Sequence, residues 1–99
     1  MNNKKPSVFI AGSTKGTHQT VSKRFQTVAN ELKEKGYSKV QMPTVVAVPE
    51  ATWDDSIKSD ITHLMGVDEL YMLSNWQGHK RSEILRDIAR KIGIKITYQ

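Results

Sequence analysis

Residues 71–89 read YMLSNWQGHKRSEILRDIA. The segment opens in an apolar run, Leu70-Tyr71-Met72-Leu73, and breaks into a polar turn from Ser74 to Arg81. It resumes with Ile84, Leu85, Ile88, Ala89 and Ile92 spaced to fall on one stripe of a helix. A strand, a short polar loop and an amphipathic helix make half of a βαβ unit. In such units a ligand sits where the loop leaves the carboxyl end of the strand and the next helix offers unpaired N–H groups. The working site is therefore expected here, with the other loops as its walls.

Working outward, Ser7-Val8-Phe9-Ile10-Ala11 is a continuous apolar run of strand length, the pattern of a buried parallel strand. The loop Gly12 to His18 follows. Val21, Phe25, Val28, Ala29 and Leu32 then mark one face of a helix, with Lys33 and Lys35 suited to its last turn and Gly36 to its left-handed end. Lys39 to Met42 is a short second strand stopped by Pro43. Thr44 to Thr52 is the longest loop, although Val45 to Val48 reads equally well as added strand. Thr52 or Asp54 caps a second helix whose stripe is Trp53, Ile57, Ile61, Leu64 and Met65, ended by Gly66. Val67 to Leu73 is the third strand. The last helix stops near Gly93, and Ile94 to Tyr98 is the fourth strand.

The order β-α-β-α-β-α-β predicts an α/β fold. The expected architecture is a Rossmann-like three-layer sandwich on a small parallel sheet of four strands, or five if Val45 to Val48 joins it. The expected strand order is 2-1-3-4, with the switch point between strands one and three. That topology brings together the loops Gly12 to His18, Pro43 to Thr52 and Ser74 to Arg81. Residues 1–6 read as a flexible tail and residues 7–99 as a single domain.

Composition narrows the function. The 99 residues are 37% hydrophobic and 25% charged, with net charge +5 and no cysteine. Disulfides, thiol catalysis and cysteine zinc sites are excluded, and a reducing cytoplasm is the expected compartment. No apolar run reaches the roughly 18 residues of a membrane span, and the start of the chain lacks a signal h-region. A moderately basic small protein favours anionic partners.

Several residues are candidates for chemistry. Gly12-Ser13-Thr14-Lys15-Gly16 is a small, hydroxyl-rich basic loop of the kind that binds phosphate through N–H groups and hydroxyls, with Gly12, Ser13, Lys15 and Gly16 as the candidates. It is neither a Walker A loop nor GxGxxG. A plain turn is the alternative. Asp60 falls at the border of its helix's apolar stripe, where a carboxylate either works or braces a neighbouring loop. Trp53 and Trp76 lie in or beside the site loops, able to stack on a base or to cap the core. Ser74, His79, Lys80, Arg81 and Ser82 precede or open the last helix. Positive side chains there oppose the helix dipole, and a bound anion would offset this. His18, His63 and His79 lack ligand spacing, so no metal is expected. Neither is a cofactor or a membrane partner. Nucleic acid binding by the basic last helix ranks last, because Lys and Arg are mixed with acids along most of the chain.

Taken together, the opening VFIAGS, Phe25, Ala29, Gly36, Pro43, Trp53, Asp60, Leu64, Asp68, the strand Leu70 to Leu73, Trp76, Ala89, Gly93, Ile96 and Tyr98 form an ordered set. It resembles the nucleoside 2-deoxyribosyltransferase-like proteins over nearly the whole chain, most closely their small phage and bacterial branch of uncharacterised members. The resemblance implies a Rossmann-like parallel sheet and homodimers whose sites borrow residues from the partner. It also implies a cytoplasmic protein, in the host if phage-encoded. In active relatives an Asp on the second helix works with a Glu early in the third, which attacks the anomeric carbon as in retaining glycoside hydrolysis.

Asp60 matches the first of these. The second position falls on Leu85, four residues before Ala89. Glu83 is two residues away, roughly 200° around a helix, and reaches the site only if the helix start shifts register. The relatives' phosphate-holding Ser-x-Gly-Ala reads His79-Lys80-Arg81-Ser82 here. These departures make a nucleotide or nucleotide-derivative binder, a sensor or a sequestering sponge, the expected function. The alternative is a deoxynucleoside phosphate N-glycosidase or deoxyribosyltransferase using Asp60 and Glu83.

Overall fold

A computed structural model describes residues 5–99. The elements run β1 (Ser7–Ala11), α1 (His18–Glu34), β2 (Lys39–Gln41), α2 (Thr44–Ala47), α3 (Trp53–Met65), β3 (Glu69–Met72), α4 (Lys80–Ile92) and β4 (Lys95–Tyr98). All four strands are parallel, in the order β2-β1-β3-β4. The expected α/β sandwich, sheet size and switch point between β1 and β3 are therefore those of the molecule.

Alternation along the central strands sorts the core into two layers. Val8 and Ile10 face one side, where Val21, Phe25, Val28, Ala29 and Leu32 of α1 cover them. Phe9 and Ala11 face the other, packed with Leu64 of α3 and Leu85 and Ala89 of α4. Strand β1 is buried on both faces, which is why its sequence is an unbroken apolar run.

The α1 side has only that one long helix. Over β3 and β4 this side carries Tyr71 and Thr97, both half-buried, and a polar knot around Glu69. Glu69 accepts from the Tyr37 hydroxyl (2.9 Å) and the Thr97 hydroxyl (3.2 Å), and Lys95 Nζ lies 3.9 Å from it.

The structure corrects the sequence reading in four places. Val45 to Val48 adds no fifth strand: Thr44–Ala47 is a one-turn helix after Pro43, with Val46 buried under α1. The third strand is shorter than expected, because Val67 and Asp68 form the turn into it. In α3 the buried face is Ser56, Ile57, Asp60 and Leu64, while Trp53 and Met65 are exposed. Two polar side chains enter because each has a partner: Ser56 Oγ donates to the Thr52 carbonyl, and Asp60 accepts from Thr44. In α4, Ile92 is exposed.

Other local expectations match. Thr52 caps α3, its hydroxyl accepting from Asp55 N–H, and Gly93 ends α4 at φ 81°. Of the expected tail, residues 1–4 lie outside the described residues. The Lys5 and Pro6 carbonyls accept from the Ser38 hydroxyl at 2.9 and 3.2 Å.

Candidate functional site

The carboxyl ends of β1 and β3 bring two loops into direct contact. Gly12 follows β1 so close to Leu73 that a β-carbon would stand 2.7 Å from its side chain. Glycine is required there, and the close approach seats the β1–α1 loop against the β3–α4 loop. Ser13 N–H donates to Asn75 Oδ1 (3.0 Å), and the Ser13 carbonyl accepts from Arg24 of α1 (3.3 Å).

Thr14 is the meeting point. Its Oγ1 accepts from Arg81 Nη2 at 2.8 Å and lies 3.2 Å from His79 Nε2. His79 is also the N-cap of α4, with Nδ1 facing Ser82 N–H (3.3 Å) and Ser82 Oγ (2.6 Å). Burial, then the Arg81 charge, hold the His79 ring below its ordinary pKa, with Glu83 pulling the other way. The third wall is Asp60. It is 1% exposed, and its Oδ1 accepts from Thr44 N–H (2.8 Å) and Thr44 Oγ1 (2.7 Å). Burial raises the Asp60 pKa, while the Thr44 bonds and the charges of Arg81 and His63 lower it in part.

The arrangement joins the Arg81 guanidinium, the Thr14 hydroxyl and the His79 imidazole, with the buried Asp60 carboxyl within reach of the Arg81 charge. Such a set has the chemistry to hold a ligand with anionic and hydroxyl groups. Two surface concavities of about 470 Å³ lie elsewhere, one against Asp87, Arg90 and Lys91, the other along His18, Ser22 and Gln26. Each is lined by one helix alone, so polar groups from different elements do not converge there as they do at the switch point.

Residues 6–98 match the family model described as a domain of unknown function, DUF4406. The chain belongs to this family. No curated protein and no solved structure matches it.

In this DUF4406 domain the expected site residues divide. Gly12, Ser13, His79, Arg81, Ser82 and Asp60 come together as described. Lys15, Gly16 and Lys80 are exposed on the same loops or the first turn of α4. Ser74 is exposed and gives its N–H to Gln99 Oε1 (2.9 Å).

Trp76 turns toward β4. Its ring lies 5.0 Å from the Arg86 guanidinium and 6.0 Å from the Tyr98 ring, and Arg86 Nε donates to the Tyr98 hydroxyl at 2.7 Å. Trp53, at the first turn of α3, is 47% exposed and shares the helix face of Asp60 two turns on.

Glu83 is exposed, and its Oε2 accepts from Gly78 N–H at 3.0 Å. That carboxylate supplies the negative charge at the α4 start that the sequence reading assigned to a bound anion. Leu85 is 2% exposed in the core layer with Phe9, Ala11, Leu64 and Met72.

Sequence reasoning missed Thr14, Thr44, Arg24 and Asn75 as site residues. Thr14 lies in the loop it singled out, and its hydroxyl between Ser13 and Lys15 was the available signal. Partners such as Thr44 and Asp60 leave no trace in hydropathy.

Proposed function

We propose that this domain binds a nucleotide or nucleotide derivative at the switch point without breaking its glycosidic bond, as a sensor or a sequestering protein. The resemblance to nucleoside 2-deoxyribosyltransferase-like proteins supplies the ligand class. The observation that carries the reading is the contrast between Asp60 and Leu85. Asp60 is kept buried at the site by two hydrogen bonds from Thr44, whereas Leu85 fills core space where the resemblance requires a nucleophilic carboxylate. Glu83 is engaged by Gly78 N–H, on the loop before its own helix.

The rival reading is a deoxynucleoside phosphate N-glycosidase or transferase. The raised pKa of Asp60 favours it, since burial makes the carboxyl hold a proton more readily than an ordinary aspartate does. A thermal-shift screen over nucleoside mono- and diphosphates, cyclic nucleotides and ADP-ribose derivatives tests binding. A ligand at a hundred times its Kd adds about 2.7 kcal/mol of stability. Chromatography of the same mixtures separates the two readings. Stabilisation with the ligand intact is expected, and rapid release of free base would transfer the assignment to the rival.

A further inference from the structure

The switch-point cluster has a fixed hydrogen-bond polarity, and a backbone amide sets it. Ser82 N–H can only donate, and it points at His79 Nδ1 at 3.3 Å. Nδ1 is therefore an acceptor, and a neutral ring with an acceptor at Nδ1 carries its proton on Nε2. Ser82 Oγ, 2.6 Å from Nδ1, is then a donor as well. Nε2–H faces Thr14 Oγ1 at 3.2 Å and donates to it. Arg81 Nη2, which has no acceptor capacity, donates to the same oxygen at 2.8 Å. A hydroxyl has two acceptor sites and one proton. Both acceptor sites of Thr14 are then filled, which leaves its proton to donate outside this set.

We propose that the Thr14 hydroxyl donates to a deprotonated oxygen of the ligand, with the Arg81 guanidinium beside it, so that the β1–α1 loop seats the ligand's anionic group. The proposal rests on the nucleotide reading and places the phosphoryl group within it. The α4 N-terminus is a poorer seat. His79 already takes the Ser82 N–H, and Glu83 takes the Gly78 N–H, so an incoming anion meets a carboxylate there. Lys15, exposed next to Thr14, adds positive charge on the chosen side. Asp60, which feels the Arg81 charge, is pushed toward its neutral form by burial, which lessens its repulsion of an anion.

Calorimetric titration of the full chain with AMP and dTMP, each beside its own nucleoside, tests this. The readout is the ratio of monophosphate to nucleoside affinity. Thr14→Val should cut that ratio roughly tenfold or more, the size of a lost hydrogen bond to a charged group. Thr14→Ser, which keeps the hydroxyl, should preserve the ratio and serves as the folding control. An unchanged ratio in Thr14→Val, or a ratio raised by Glu83→Gln instead, would overturn the proposal and move the anion to the start of α4. If no nucleotide binds the wild type, inorganic phosphate replaces it as the probe. Stabilisation of the wild type but not of Thr14→Val would then keep the oxyanion seat while removing the nucleotide reading. No effect of phosphate on either removes both.

Discussion

Thr44 gives both of its donors, backbone N–H at 2.8 Å and hydroxyl at 2.7 Å, to a single oxygen of Asp60. The carboxylate is thereby fixed in orientation, and its second oxygen makes no hydrogen bond among the described residues. Two donors favour the charged form, yet burial is the larger effect and the pKa is raised.

The sign of that shift fixes the first prediction. A carboxyl with a folded pKa above its unfolded value of 3.8 stabilises the fold fully below that pH, and the contribution is lost as pH rises through the folded value. Asp60→Asn keeps an acceptor for Thr44 and removes the charge. It should be more stable than the wild type at neutral pH, with the difference closing on acidification. Urea denaturation across that range checks this, and a less stable Asn variant at neutral pH would contradict it.

His79 moves stability in the opposite sense. Its folded pKa lies below the unfolded 6.5, so stability is complete above that value and falls as pH drops through the window beneath it. Protonation puts a second hydrogen against Ser82 N–H and uncaps α4. Replacing His79 with Gln should flatten the acid slope, measured by the same denaturation series at constant ionic strength.

How far the chain could be read in advance depended on whether each signal was local. The parallel sheet was legible because Ser7 to Ala11 is apolar without alternation and Gly36, Gly66 and Gly93 punctuate the helices. The phase of α3 was not. Trp53 and Met65 outweigh Ser56 and Asp60 in any hydropathy stripe, while the bond that pulls Asp60 inward comes from a residue sixteen positions earlier. The helix at Thr44–Ala47 has four residues, too few for periodicity to show. Trp76 and Glu83 lie on or beside the β3–α4 loop in sequence, but the directions of their side chains depend on Arg86, Tyr98 and Gly78.

Leu85 bears on any attempt to install a nucleophile. Leu85→Ala should cost about 2–5 kcal/mol, the usual range for a buried leucine. Leu85→Glu should cost at least as much, since it buries an unpaired carboxylate among Phe9, Leu64 and Met72. Denaturant midpoints of the two variants check this. A Glu variant as stable as the wild type would mean that α4 rotates to bring position 85 to the site.

Gly12→Ala should destabilise by about 1–3 kcal/mol, because the new methyl overlaps Leu73 carbons at 2.7 Å. Leu73→Ala removes the Cγ and Cδ1 overlaps and leaves the one with Cβ. The double variant should therefore be less destabilised than the sum of the singles, and strict additivity in a double-mutant cycle would disprove the contact.

The outermost strands, β2 and β4, have three and four residues, and each begins on an exposed lysine, Lys39 and Lys95. Margins so short and so positively charged make poor templates, since any strand added there would have to pass an ammonium. Contact through helices or through the half-open sheet surface at Tyr71 and Thr97 is thereby favoured over edge-to-edge pairing. Outward growth of the sheet, the route to fibrils, is disfavoured at both sides.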